Sequence, residues 1–412
     1  MGGSNGRAKP MNPRVLMVVP HFPPPVTGGL ERQAQQLARA VRALGGHVLV
    51  LSARFAAGQQ ARDTQDGVPV LRVPLPARKW LRGPFTAPML AAAMVRHRGE
   101  YDVVHAHNLS WFGGFAILVA KVLRKPVLVK LPTATEYAFR EGSARFRIFE
   151  ACDAIALLSE DTIADFRRRG FPEGRTFKIT NGVALEDFHP GPPRTTAPGA
   201  PVEVIFVGRL DPMKGLDDLL EVWPRVLARA GCPARLSICG EGPEEAHVRR
   251  RVAELGIADS VVLRGRVAEV ADALRASDVF VLPSEVEGNS NAVLEAMATG
   301  LPVLSTRVGG TPLLVGPEGA ALLIEPRDRA GLEERLARLV ADESRRRAAG
   351  AAMLTRARAN FSIDAIAALY LRVYEALADG HPERVGAHSS PVFAPESPAL
   401  DRIPDGSPGR DR

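Results

Sequence analysis

The sequence predicts an α/β chain built from two Rossmann-like domains, each a parallel sheet covered by helices on both faces. Three observations carry that prediction. Short continuous apolar runs recur along the chain, and a run of that kind reads as a parallel strand buried on both faces. Helical stretches with one apolar stripe fill most of the gaps between them, so strands and helices alternate. The alternation runs twice, interrupted by HPGPPRTTAPGAP at 189–201, where proline and glycine are too dense to pack as helix or sheet. The length of 412 residues is enough for roughly two or three domains, each with its own core.

Residues 1–13, MGGSNGRAKPMNP, are expected to be disordered. The first strand is VLMVVP (15–20). A loop, HFPPPVTGG, leads to an amphipathic helix from Leu30 to Leu44, with Leu30, Ala34, Leu37, Ala38, Val41 and Leu44 on one face. Gly45 and Gly46 end the helix and HVLVLS (47–52) follows, which completes a βαβ unit. Further strands are VPVLRV (68–73), DVVHAH (102–107), PVLVKL (126–131), AIALLS (154–159) and TFKIT (176–180). These define a first domain at 14–190, with 191–201 as linker. The second alternation occupies 202–360. Its strands are VEVIFVG (202–208), RLSICG (235–240), SVVLRG (260–265), VFVLP (279–283), PVLST (302–306) and ALLIE (321–325), with helices at 332–341 and 343–358 among others. A last amphipathic helix is expected near 362–378, followed by a Pro-, Ser- and Gly-rich disordered tail at 379–412.

The stretch that organises the second domain is PSEVEGNSNAVLEAMATGLPVLSTRVGG (283–310). A polar loop, Glu287-Gly288-Asn289-Ser290, runs into a short apolar helix from Asn291 to Thr299. Ser290 or Asn291 is placed to cap it, and Gly300 and Pro302 stop it. A strand, a glycine loop and a helix N-terminus make a place for an anion, because unpaired amides and the helix dipole both favour negative charge. Glu295 lies among Ala292, Val293, Leu294, Ala296, Met297 and Ala298. A carboxylate on so apolar a helix needs either solvent or a hydroxyl partner. An exposed glutamate on a sheet-packing helix is the plain alternative.

Other candidates sit at strand ends, where open parallel sheets bind ligands. VGRLDPMKG (207–215) places Arg209 and Lys214 just beyond a strand. Two cations there suit a diphosphate, with arginine gripping bidentately and lysine acting as a point charge. CGEGP (239–243, with Gly240) and LRGRV (263–267, with Arg266 and Val267) are further glycine turns. Gly28-Gly29 opens the first helix without forming the dinucleotide signature. Glycine there lets backbone amides approach a phosphate or sugar, or simply makes a tight turn. In DVVHAHN, His105 and His107 point to one face. His107, nearer the loop, is the better active-site candidate and His105 reads as a hydrogen-bonded core histidine. A metal pair lacks further ligands. Lys130 ends an apolar strand in VLVKLPTATE, so it opens to a cleft, meets an anion or pairs with Glu136. PLPARKWLRGPF (74–85) has the composition of a segment that touches an anionic membrane surface, and equally of a surface loop or acceptor-site wall.

Composition narrows the partners. The net charge of +7 is spread along the chain, and the runs Arg167–Arg169, Arg249–Arg251 and Arg345–Arg347 read as solvated helix faces rather than a nucleic-acid surface. Three cysteines, Cys152, Cys232 and Cys239, lack metal spacing and suit reduced thiols. No run reaches the length of a membrane span and the start has no signal-like apolar core. The expectation is a cytoplasmic protein, with a peripheral visit to the inner face of the membrane.

Taken in order, these motifs resemble the GT-B fold retaining glycosyltransferases of family 4 over about residues 14–378. The resemblance rests on GG-x-E (Gly28, Gly29, Glu31), DVVHAH, the segment 158–188 with Asn181-Gly182-Val183, VGRLDPMKG, CGEGP, and the Glu-x7-Glu stretch with VLEAMATGLPVLST, which is the most specific. It implies a nucleotide-sugar donor, a UDP-, GDP- or ADP-sugar, and a carbohydrate or lipid-linked acceptor, with no metal and no other cofactor. Arg209 and Lys214 would hold the diphosphate, helped by Gly288, Asn289, Ser290 and Asn291 at the helix start. Glu287 would contact donor-sugar hydroxyls and Glu295 the ribose. Gly28, Gly29, Arg266 and Val267 would complete the donor contacts, the last two at the base, and the final helix would return to brace the first domain. Two positions depart from the family pattern. The histidine usual after the 126–131 strand is absent from Leu131-Pro132-Thr133, leaving Lys130 or His107 to compensate, with Thr133 and Gly240 as further possible site residues. Leu313 stands where relatives often carry glutamate. A nucleotide-sugar epimerase of similar fold and a non-catalytic nucleotide-sugar-binding protein are the competing readings.

Overall fold

The computed structural model describes residues 13–24, 28–54, 58–74, 76, 79–108, 110–131, 144–158, 160–171, 173–192 and 199–381. The start at 1–12, the tail beyond 381, the centre of the 189–201 linker, Thr133 and Glu136 lie outside them. The described residues divide into two compact units. The first holds 13–184, 288–291 and 361–381, and the second holds 185–287 and 292–360.

In the first unit the strands are β1 (Arg14–Val18), β2 (His47–Arg54), β3 (Arg62–Gln65), β4 (Val68–Pro74), β5 (Val103–Ala106), β6 (Val127–Lys130), β7 (Ala154–Leu157) and β8 (Thr176–Lys178). They form one sheet in the order β3-β4-β2-β1-β5-β6-β7-β8. Every pairing is parallel except β3 with β4. Period-two alternation divides the core. Val15 and Met17 pack with α1 (Gly29–Ala43) and α13 (Ile363–Ala378) on one face. Leu16 and Val18 pack on the other face with α2 (Lys79–Arg96), α3 (Trp111–Val122), α4 (Ala144–Glu150) and α5 (Glu160–Arg168). Each such side chain, fully buried, contributes roughly 1.5–3 kcal/mol. Residues 361–381 thus belong to the core of the first unit, where Tyr370 and Tyr374 of α13 are fully buried.

Two elements here escape the apolar-run reading. Strand β3, RDTQ, is polar and half exposed, and it exists because Asp66 (φ 48°) and Gly67 (φ 77°) make the left-handed turn that folds it back on β4. Helix α2 starts at Lys79 inside the segment read as a membrane-touching or surface loop, since Pro84 and Pro88 mask its helical period.

The second unit contains β9 (Val202–Val207), β10 (Ala234–Cys239), β11 (Val261–Gly265), β12 (Val279–Leu282), β13 (Val303–Thr306) and β14 (Leu323–Ile324), all parallel in the order β11-β10-β9-β12-β13-β14. Crossovers run through α6 (Leu216–Ala230), α7 (Glu245–Glu254), α8 (Val270–Arg275), α9 (Asn291–Ala298) and α10 (Thr311–Gly319), with α11 (Arg329–Ala341) and α12 (Glu343–Asn360) after β14. Helix α6 buries Leu216, Leu219, Leu220 and Trp223 and is bounded by left-handed glycines, Gly215 (φ 67°) and Gly231 (φ 65°).

These two glycines make a matched test. A Cβ at Gly215 would collide with the Pro283 carbonyl oxygen, whereas one at Gly231 meets nothing within 4 Å. Gly231→Ala is expected to cost about 1 kcal/mol from backbone strain alone, and Gly215→Ala about 3 kcal/mol or more, measured as unfolding free energies in urea.

Candidate active site

In the second unit the parallel strands deliver their candidates to one edge of the sheet. Past β9, Asp211 turns the chain by accepting from the Met213 amide at 3.0 Å, and the short 3-10 turn Pro212–Lys214 follows. This aims Lys214 at the loop after β12. There Lys214 Nζ lies 2.7 Å from Glu287 Oε1, and Ser284 Oγ donates to the same oxygen at 2.8 Å. The Glu287 side chain is only 8% exposed, so this carboxylate is held by an ammonium and a hydroxyl rather than by water. Arg209 is exposed, and no ion pair with another described residue involves its guanidinium. A cation open to solvent and a second one locked to an acid thus both stand beyond β9, the acid coming from the loop after its neighbour β12.

Glu295 is 5% exposed within α9, whose residues Val293–Ala298 are all buried. The exposed-glutamate alternative is therefore wrong, because the helix is buried all round at this point. Gly240 follows β10 with φ 150°, and a Cβ there would strike the Gly208 carbonyl oxygen, so this glycine is required by strand packing whatever it binds. Arg266 is exposed and donates to Glu241 at 3.0 Å. Val267 lines a cavity of about 610 Å³ with Ile205, Ser237, Arg264, Glu269 and Asp272. Leu313 meets Arg356 of α12, which donates to its carbonyl at 2.9 Å and to that of Leu314 at 2.7 Å.

The first unit gathers a different set. His105 and His107, on β5 and just beyond it, stack with ring centroids 4.1 Å apart, and both are buried. His105 Nδ1 lies 2.7 Å from the Tyr374 hydroxyl, and its ring also stacks on Tyr370. Burial holds His105 well below the ordinary histidine range. Burial, with the nearby Lys130 charge second, takes His107 down to about 3. Both rings are neutral at physiological pH. No third ligand joins them among the described residues.

Lys130, 3% exposed at the end of β6, donates to Asn181 Oδ1 at 2.7 Å. Its ammonium sits 5.8 Å from the centre of the Tyr370 ring. Burial lowers its pKa to about 7. Asn181 Nδ2 in turn donates to the Asn289 carbonyl (3.0 Å) and to Asn291 Oδ1 (2.8 Å). Asn291 Nδ2 donates to the Gly29 carbonyl at 2.8 Å. The carboxamide of Asn291 is therefore committed on both sides and does not cap α9. Ser290 is buried at the residue before the helix, and Gly288 precedes Asn289 in the same loop. Gly28 is extended (φ −166°) and stands before α1.

Sequence reasoning thus placed Arg209, Lys214, Glu287, Glu295, Gly240, Arg266 and Val267 on one sheet edge. The structure groups His107, Lys130, Gly28, Gly29 and Gly288–Asn291 in the first unit, although the sequence reading put Gly288–Asn291 in the second domain. Sequence reasoning missed Ser284 and Tyr374, and it quoted Asn181 without a role. The signal for Asn181 was available: a polar residue before Gly182, directly after a buried strand.

A parallel α/β sheet with cations and acids beyond its strand ends has the layout in which such folds bind phosphate-bearing ligands. Residues 201–342 match the family of glycosyl transferases group 1, and residues 28–182 match the glycosyl transferase 4-like domain. The chain is 30% identical over 294 residues to the D-inositol 3-phosphate glycosyltransferase of Corynebacterium urealyticum, spanning 64% of this chain and 68% of that one. It is 29% identical over 425 residues to the protein of the same name from Xylanimonas cellulosilytica, spanning 90% and 99%. Among solved structures it resembles sucrose-phosphate synthase from Thermosynechococcus elongatus, with a TM-score of 0.73 at 24% identity over 89% of this chain and 100% of that one. The chain belongs to the family 4 glycosyltransferases, with the GT-B fold, and is a glycosyltransferase of the group 1 type.

Lys130 gives a pH test. Its pKa is about 7 folded and 10.5 in the ordinary state, so between those values the unfolded chain holds a proton that the folded chain has released. Stability therefore rises with pH across that window, and below pH 7 the folded state carries a buried ammonium. Relative to Lys130→Met, wild type is expected to gain roughly 3 kcal/mol of unfolding free energy between pH 7 and 9.5, read from urea melts of both proteins. The variant adds a constant penalty for the unpaired Asn181 oxygen, and only the difference in slope tests the shift.

Proposed function

We propose that this glycosyltransferase moves a sugar from a nucleotide-sugar donor to an acceptor hydroxyl, with retention at the anomeric carbon and no metal ion. The acceptor is a glycan, a glycolipid or a small molecule, and the setting is cell-surface polysaccharide or glycoconjugate synthesis at the cytoplasmic side. The observation that carries this reading is the arrangement of Arg209 and the Lys214–Glu287 pair beyond the strand ends of the second unit. Arg209 and Lys214 take the diphosphate, with the amides of Gly288, Asn289 and Ser290. As the bond from the anomeric carbon to the phosphate oxygen breaks, negative charge grows on the departing diphosphate. Fixed cations and amides stabilise it more in the transition state than in the ground state. The acceptor oxygen bonds to the same face of that carbon, and its proton passes to the leaving phosphate oxygen. No carboxylate nucleophile takes part, unlike the two-carboxylate glycosidases.

Glu287, held by Lys214 and Ser284 through one oxygen, accepts from donor-sugar hydroxyls. Glu295, buried in α9, accepts from the ribose. His107 is neutral and serves as a hydrogen-bonding wall rather than as a proton carrier. The named activity of the relatives in Corynebacterium and Xylanimonas makes a phosphorylated cyclitol the first acceptor to try.

The test begins with UDP-, GDP- and ADP-sugars in a thermal-shift series. A true donor at one hundred times its Kd stabilises the folded state by about 2.7 kcal/mol. Arg209→Ala and Glu287→Gln are expected to lower donor kcat/KM at least a hundredfold with melting unchanged. Product analysis by NMR should show the donor's anomeric configuration kept. Conversion of the donor sugar without acceptor would select the epimerase reading, and binding without any turnover the non-catalytic one.

A further inference from the structure

Within the first unit, a chain of hydrogen bonds has a direction imposed by a main-chain carbonyl. The Asn289 carbonyl can only accept, so it takes the Nδ2 end of Asn181 at 3.0 Å and leaves Oδ1 to accept from Lys130 at 2.7 Å. The two N–H bonds of Asn181 must then point the other way, and each finds an acceptor, the Asn289 carbonyl and Asn291 Oδ1. Accepting there turns the amino group of Asn291 toward the Gly29 carbonyl. Two main-chain carbonyls, of Asn289 and Gly29, thereby set the orientation of two carboxamides, and the chain ties together the loop before α9 and the backbone that opens α1. Asn181 and Lys130 are both more than nine-tenths buried, so no water substitutes for either partner.

A second observation says what the tied loop waits for. Asn289 is 7% exposed, and neither polar atom of its carboxamide has a partner among the described residues. A buried amide with both a donor and an acceptor unused is expensive to keep, and a polyhydroxyl ligand supplies both complements. Asn181 thus holds the loop through its main chain while the Asn289 carboxamide is left unsatisfied among the described residues.

We propose that Asn181, hydrogen-bonded to Lys130, is a positioning residue for the donor, holding the Gly288–Asn291 loop in its sugar- and phosphate-binding shape. The inference rests on the donor reading given above. It explains why an amide and not an acid stands at 181. An aspartate has no N–H to offer, so the Asn289 carbonyl would face a carboxylate. Asn291 would also have to reverse, setting its own oxygen against that of Gly29.

The experiment has a ligand-free arm and a donor arm. In the free protein, backbone hydrogen exchange is followed in the peptide covering residues 284–298. Asn181→Ala and the near-isosteric Asn181→Asp are both expected to speed exchange at Gly288–Asn291 at least tenfold, with the melting temperature within about 3 °C of wild type. In the second arm, calorimetry with UDP-glucose, GDP-mannose and ADP-glucose measures donor affinity. Both variants are expected to weaken the nucleotide sugar that wild type binds at least tenfold. Arg209→Ala should weaken it without changing loop exchange. If Asn181 variants do not fold, Asn291→Asp, which still accepts from Asn181 but no longer donates to Gly29, is expected to give the same pair of changes. Unchanged exchange, or donor affinity within twofold of wild type despite faster exchange, overturns the proposal. Wild type binding none of the three sugars overturns the donor reading itself, and is told apart because the exchange arm is read without ligand.

Discussion

Among the described residues every strand but one is paired parallel, and that geometry decides where chemistry can occur. A parallel strand cannot turn back on its neighbour, so each must leave through a crossover, and all crossovers begin at the same edge of the sheet. In the second unit this brings the loops after β9, β10, β11 and β12 to one border, although Arg209, Gly240, Arg266 and Glu287 are scattered through the sequence. The strand interiors supply the apolar cohesion, with Ile205, Phe206, Val281 and Leu282 almost fully buried. The loops are then free to carry polar groups, because the sheet does not depend on them for its stability. The antiparallel exception, β3, lies at the outer margin of the first sheet, where it covers the side of β4.

Charged groups inside the fold are managed in two ways. Glu287 is met by an ion-pair partner and a hydroxyl, Lys214 and Ser284, on one oxygen. Lys130 has no described acid against it. It meets an amide oxygen and the face of Tyr370, and its pKa falls instead. The difference follows from surroundings. Lys214 keeps a fifth of its side chain in solvent, so an ion pair there has modest desolvation to offset. Lys130 sits among neutral His105, His107 and two tyrosines, where a full charge is poorly solvated. The same surroundings keep both histidines neutral, and Lys130 reinforces this, since a partly charged ammonium opposes a second positive charge nearby.

How much of this was legible follows the range of the interactions. Apolar runs and glycine turns are local, and they marked two parallel-sheet domains and the strand ends that carry Arg209, Lys214 and Glu287. What failed was also local but masked: the Asp66-Gly67 turn joined strands of which one, Arg62–Gln65, has no apolar residue to announce it. The partners of buried polar groups were a different matter. For Lys130 the sequence offered a cleft, an anion or Glu136; Glu136 lies outside the described residues, and the described acceptor is Asn181, 51 positions away. His105 finds Tyr374, 269 positions away. A sequence shows that a buried lysine or histidine needs a partner, but only the folded topology chooses which one.

That dependence explains why the return of α13 to the first unit matters chemically and not only for cohesion. Tyr370 and Tyr374 stand one helical turn apart, so both reach the same patch at the end of β5 and β6. There Tyr374 meets His105 and Tyr370 stacks against it, while the ring of Tyr370 also lies beneath the Lys130 ammonium. Without α13 these groups would lie open to water, Lys130 would regain its ordinary basicity, and its amine would have bulk solvent competing for the bond to Asn181. The orientation of the Gly288–Asn291 loop therefore rests on a helix more than seventy residues later in the chain, through apolar packing that makes one hydrogen-bond direction the cheapest available.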